Sequence, residues 1–165
     1  MRSFLDETLR QSVLILELMV AGALATILGY QRHRQGRPAG IRTHIMVSLA
    51  SCAFTIAGVD GFHDIVTPRD PARIAAQVVA GIGFLGAGVI FKTNTSVRGL
   101  TTAASLWVAA ALGVLVGAQL VLVAMGLSVM AYITLSRLQE FGGRSTLEGQ
   151  EPSTSGPTRN RDVDS

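Results

Sequence analysis

The sequence predicts an all-α, polytopic membrane protein of about five transmembrane helices, and three observations carry that reading. Only 15% of the 165 residues are charged and 48% are hydrophobic, where a soluble domain of this size usually carries about a quarter charged residues. Residues 18–31, 43–59, 74–91 and 99–136 contain no Asp, Glu, Lys or Arg. The basic residues cluster between these runs, so a net charge of +3 reflects topology rather than nucleic-acid binding.

A bilayer needs roughly 20 largely apolar residues per helix. The first run reaches that length when Ser12–Leu16 join it, which places Glu17 inside the span. The second and third runs are each about one span long. The last is too long for one helix and adequate for two short ones. A break near Gly117-Ala118-Gln119 is expected, because glycine beside a strongly polar residue marks a helix boundary. The helices therefore fall at roughly 12–30, 43–59, 72–91, 100–116 and 119–136. Arg2 and Arg10 before Ala23-Leu24-Ala25 also fit a signal peptide, yet the apolar stretch continues past that tripeptide and further spans follow.

Five spans put Arg2, Arg10, Arg69 and Arg73 on one side and the other ten basic residues on the opposite side. The positive-inside rule then places the N-terminus outside and the C-terminus in the cytoplasm. Residues 139–165 change to Gly, Ser, Thr, Pro and charges, too few apolar side chains to offset ordering. The expected organisation is a transmembrane domain over 1–138 and a disordered cytoplasmic tail over 139–165.

Gly81-Ile82-Gly83-Phe84-Leu85-Gly86 matches a dinucleotide-binding pattern, but no strand and turn precede it and it lies inside an apolar run. Small residues in membranes let helices approach closely. Gly81, Gly83, Gly86 and Gly88, with Gly113 and Gly117 on the fourth helix, are therefore read as helix-packing or oligomer-interface positions. Asp70-Pro71 is a good helix start, and Asp70 and Arg73 lie one turn apart. Glu17 is the one carboxylate within a span, and intramembrane ionisable groups mark function by default. Glu17, Asp70, Arg73 and Gln77 are the polar site candidates, with Arg73 the expected partner of Glu17. Thr101, Thr102 and Ser105 stud the fourth helix near its cytoplasmic end. No nucleophile-and-base set is discernible, and His33, His44 and His63 are scattered over different segments. No catalytic residue is assigned and an enzyme is not expected. The single cysteine, Cys52, reads as a packing residue.

Three blocks resemble the MgtC/SapB family: Gly36-Arg37-Pro38-Ala39-Gly40-Ile41-Arg42-Thr43-His44, the run from Asp70 to Gly88, and Val97-Arg98-Gly99-Leu100-Thr101-Thr102-Ala103-Ala104-Ser105-Leu106-Trp107. The resemblance covers residues 36 to about 117. It implies a bacterial inner-membrane protein connected with growth in low magnesium and, in pathogens, with survival inside host cells. It also implies a regulator that contacts other membrane proteins, with the F-type ATP synthase as a partner. Where the family usually ends its first helix with Gly-x-Glu-Arg, this chain has Gly29-Tyr30-Gln31-Arg32. Many members carry a folded domain after the last helix, at the place of the tail read here as disordered.

The competing expectation is a Mg²⁺ transporter or sensor. Mg²⁺ keeps several waters and needs one or two carboxylates, and Asp6, Glu7, Glu17, Asp60, Asp64 and Asp70 all fall on the expected outer side. Asp60, Asp64 and Asp70 are the weak metal candidates. No other cofactor is expected, membrane lipids and a homo-oligomer are the remaining partners, and nucleic acid is not. Reporter fusions at both ends check the orientation: the C-terminal fusion is expected to report cytoplasm, and a periplasmic signal there overturns the five-span topology or its direction.

Overall fold

The computed structural model describes residues 2–61 and 70–142. Five helices lie among them: α1 (Arg2–Arg34), α2 (Ile41–Asp60), α3 (Pro71–Gly88), α4 (Leu100–Gly117) and α5 (Val121–Gly142). A short antiparallel ribbon, β1 (Phe91–Lys92) and β2 (Val97–Arg98), joins α3 to α4 with Phe91 opposite Arg98. Residues 62–69, which hold His63, Asp64 and Arg69, and residues 143–165, most of the expected tail, lie outside the described residues.

Three helices are long and apolar enough to cross a membrane: α1 from Phe4, α2 and α4. Ala72–Gly88 and Val121–Arg137 are shorter apolar helices. Large apolar side chains such as Phe54, Phe84, Leu122 and Met130 face outward, as they do where lipid is the solvent.

The first helix begins ten residues earlier than the sequence predicts. At 1.5 Å per residue its 33 residues measure about 50 Å, well beyond a hydrocarbon core of about 30 Å. Nothing in residues 2–11 breaks a helix, and the added turns gain a tether. The Arg10 Nη2 donates to Asp60 Oδ1 at 2.9 Å, which ties α1 to the end of α2. The third helix stops at Gly88 rather than 91, because Phe91–Lys92 enters the ribbon.

The break in the long apolar run falls where the sequence places it. Leu120 N donates to Leu115 O at 2.8 Å and Gln119 N to Val116 O at 2.9 Å, the paired bonds of a Schellman cap. Its left-handed position is Gln119, at φ 63°, where glycine is commoner. Gly99 also has positive φ, at 91°, and an added Cβ there would collide with the Val89 carbonyl. No other residue fits that ribbon-to-helix corner.

The fourth helix is the centre of the bundle and packs against each of the others. Its closest contact is with α2. A Cβ on Gly113 would meet the Ser48 carbonyl oxygen and lie 2.9 Å from Cys52 N. A Cβ on Gly117 would lie 2.8 Å from Cys52 O. Gly86, where α3 meets α4, is looser: its Cβ would sit 3.6 Å from the Trp107 indole nitrogen. Leu28, Cys52, Leu112 and Val116 fill the centre of one core cluster, and Ile82, Leu106 and Ala110 that of a second beneath α3.

Gly113→Ala is therefore expected to destabilise the chain by about 1–3 kcal/mol through overpacking, and Gly86→Ala to stay within about 0.5 kcal/mol. Thermal unfolding of the two variants in detergent compares them directly. Equal losses would contradict the ranking of the two contacts.

Candidate functional site

The largest buried polar cluster lies where α1 ends and α2 and α4 begin. Gly29 makes it: a Cβ there would come within 2.7 Å of Ile41 Cα, so glycine alone lets α2 start against the last turn of α1. Arg32 follows Ala21, Ala25 and Leu28 on the buried face of α1 and is 0% exposed. Its Nη2 donates to Thr102 Oγ1 at 3.1 Å and its Nη1 to Gln35 Oε1 at 3.3 Å, while Nε has no partner among the described residues. Among the described side chains Arg32 forms no ion pair. Its position in the last turn of α1 sets the guanidinium beside the negative end of that helix.

His44 is buried beside it. Its Nδ1 lies 2.8 Å from Gly40 O and its Nε2 3.1 Å from Ser105 Oγ, while Ser105 Oγ also lies 2.8 Å from Thr102 O. A carbonyl only accepts, so a neutral His44 carries its proton on Nδ1 and takes the Ser105 hydroxyl at Nε2. Ser105 has one hydroxyl hydrogen for both His44 and the Thr102 carbonyl. Arg32, Thr102, Ser105 and His44 thus form one chain of contacts across α1, α4 and α2.

Beside this cluster, two glutamines bridge α1 to α5. Gln31 Nε2 donates to Tyr132 O and Gln35 Nε2 to Leu135 O, each at 3.4 Å. They flank a hollow of about 320 Å³ lined by Tyr30, Gln31, Arg34, Gln35, Tyr132 and Ser136.

At the opposite end Glu17 is 8% exposed, and its Oε2 has no hydrogen-bond partner among the described residues. The expected pairing with Arg73 is not seen. Arg73 Nε lies 3.8 Å from Asp70 Oδ2, and the Arg73 side chain is 86% exposed. Asp70 caps α3, accepting from Ala72 N at 3.1 Å. Asp60 is held by Arg10. Gln77 lies on an apolar cleft of about 410 Å³ between α2 and α3, with Phe54, Ile74 and Leu85. The structure thus brings Asp70 to Arg73, leaves Glu17 apart from both, and sets Gln77 with apolar neighbours.

The glycines divide in the same way. Gly86, Gly113 and Gly117 meet other helices, whereas a Cβ on Gly81, Gly83 or Gly88 would meet nothing within 4 Å. Gly81 borders the cleft between α2 and α3, Gly88 lies two turns further along the same side, and Gly83 lies on the other side of α3.

Sequence reasoning counted Arg32 among the loop arginines and His44 among the scattered histidines. The signal that identifies them is helical spacing. Ala21, Ala25, Leu28 and Arg32 share one stripe of α1, and His44, Ser48, Ser51 and Thr55 one stripe of α2.

"Putative magnesium transporter YhiD" of Escherichia coli K12 is 40% identical over 125 residues, which is 73% of this chain and 58% of that protein. The protein MgtC of Salmonella typhimurium is 42% identical over 113 residues, 68% of this chain and 47% of the relative. MgtC of Brucella abortus is 47% identical over 105 residues, 62% and 42% of the two chains. The chain spans about half the length of these curated relatives. No solved structure matches it. The model of the MgtC family matches residues 18–144, and this chain belongs to that family.

Proposed function

We propose that the chain is an inner-membrane, multi-pass regulator linked to adaptation to low magnesium and, in pathogens, to survival in the host. It acts through helix contacts with other membrane complexes, such as the F-type ATP synthase. The observation that carries this reading is the outer face of α3. Gly81 and Gly88, seven residues apart on one side of α3, leave open space there, and Phe84 beside them is 81% exposed. In lipid, helices associate by close packing, and glycines let a second backbone approach. A helix of another protein, or of a second copy of this chain, fits that description.

The second reading is a Mg²⁺ transporter or sensor, and Glu17 favours it. A buried carboxylate with an oxygen unpartnered among the described residues suits a hydrated cation. The name of the YhiD relative refers to magnesium transport. Asp60 and Asp70 lend less support, since one is engaged by Arg10 and the other caps α3.

Two measurements separate the readings. The regulator is expected to give no Mg²⁺ flux above protein-free vesicles in reconstituted liposomes; flux that Glu17→Gln abolishes establishes the transporter instead. Gly88→Leu is expected to keep the detergent stability of the isolated chain within about 0.5 kcal/mol and to lose co-purification with the membrane complex. Retained co-purification removes the α3 face from the proposal.

A further inference from the structure

Several polar side chains of the bundle donate to a backbone carbonyl of the neighbouring helix. Ser48 donates to Ala21 O, Ser128 to Leu24 O, Gln31 to Tyr132 O and Gln35 to Leu135 O. Ser51 and Gln77 do not follow this pattern. They stand on opposite walls of the cleft of about 410 Å³ between α2 and α3, and neither side chain is hydrogen-bonded among the described residues. Ser51 is only 5% exposed, yet it lines the cleft.

A lipid does not supply what Ser51 lacks. It is the eleventh of the twenty residues of α2, about 15 Å from either end. Where α2 spans the bilayer, that depth is the middle of a hydrocarbon core about 30 Å thick. Acyl chains carry no acceptor, and carbonyls at that depth belong to helices. The cleft therefore fits a helix from outside the chain.

The α3 wall matches one helix in particular, a second α3. Gln77, Gly81, Phe84 and Gly88 are all exposed and follow one another at spacings of four, three and four, the repeat of a parallel two-helix pairing. Two copies inserted in one orientation place their α3 helices parallel about a two-fold axis, so each residue of the seam faces its own counterpart. That requires self-complementarity. The Gln77 amide both donates and accepts, so two of them pair reciprocally. Phe84 of one copy enters the hole between Gly81, Phe84, Leu85 and Gly88 of the other, where neither glycine has a neighbour within 4 Å of an added Cβ. Asp70 and Arg73 head the same side of α3 with opposite charges, and the Arg73 side chain is 86% exposed, so each copy offers what the other attracts.

We propose that the chain forms a homodimer through α3: the second copy's α3 lies along the cleft, pairs the two Gln77 amides and brings a backbone carbonyl to Ser51. The inference rests on the reading of α3 as a contact face and names the chain itself as the partner.

Oxidative cross-linking of the full chain in bacterial membranes tests it, with single cysteines introduced along α3. The native Cys52 is fully buried and sets the baseline. Dimer yield is expected to peak at positions 77, 81, 84 and 88 and to stay low at 76, 80, 83 and 87, which lie on the neighbouring side of the helix. Gln77→Leu, at an exposed position, should raise the dissociation constant of the dimer about tenfold, the value of two interhelical hydrogen bonds, and Ser51→Ala about threefold, the value of one. Uniform cross-linking along α3, or a peak at 76, 80, 83 and 87, would overturn the seam. No self-cross-link at any position, while Gly88→Leu still loses the membrane complex, would overturn the second copy and leave the face to another protein. Cross-links with the expected period, while Gly88→Leu retains the complex, would establish the dimer and remove α3 from the larger assembly.

Discussion

The close contact of α2 with α4 is the constraint on which the rest depends. Gly113 lies against the Ser48 carbonyl and Gly117 against the Cys52 carbonyl, one turn apart on both helices. Hydrophobic burial gives helices in lipid little reason to associate, so close packing and polar contacts must hold them together. With the two backbones so near, Ser48 is fully buried and reaches across to donate to Ala21 O on α1. The same register brings Ser105 to His44 and Thr102 to Arg32. The polar cluster is therefore a consequence of the glycine spacing on α4. A wider α2–α4 separation would part Ser105 from His44.

The first helix carries a complementary feature. Glu17, Ala21, Leu28 and Arg32 lie along one buried face, with the carboxylate near one end and the guanidinium near the other. At about 1.5 Å per residue they are roughly 22 Å apart, too far to neutralise each other. Each must be accommodated locally. Arg32 has two neutral oxygens and the helix terminus, while one oxygen of Glu17 has no partner among the described residues. The two ends of the bundle thus differ in kind.

Much of the fold was legible in the sequence because the charge-free runs mark helices whatever their neighbours do. The α4–α5 break at Gly117–Gln119 and the start of α3 at Asp70-Pro71 both depend on local chemistry, and both fall where expected. The early start of α1 was not legible, because Arg10 finds its partner Asp60 fifty residues away. The ribbon was missed because two-residue strands have no periodicity. Of the site, Glu17 was recognised as an ionisable group within a span. Arg32 was misread because charge assigned it to a loop, whereas its phase on the α1 stripe assigns it to the interior. The glycines were recognised as a class. Which of them meet a neighbour depends on how α3 is rotated against α4, and residue identity alone does not contain that.

The connection between α4 and α5 has a consequence for biosynthesis. Only Ala118, Gln119 and Leu120 separate the two helices, and the carbonyls of Val114, Leu115 and Val116 are all satisfied within that turn. Three residues cannot span a bilayer, so neither helix can enter the lipid and wait for the other on the far side. Where both cross the bilayer, they insert together as a hairpin with the turn leading, and the helix at the centre of the bundle arrives already packed against its C-terminal neighbour.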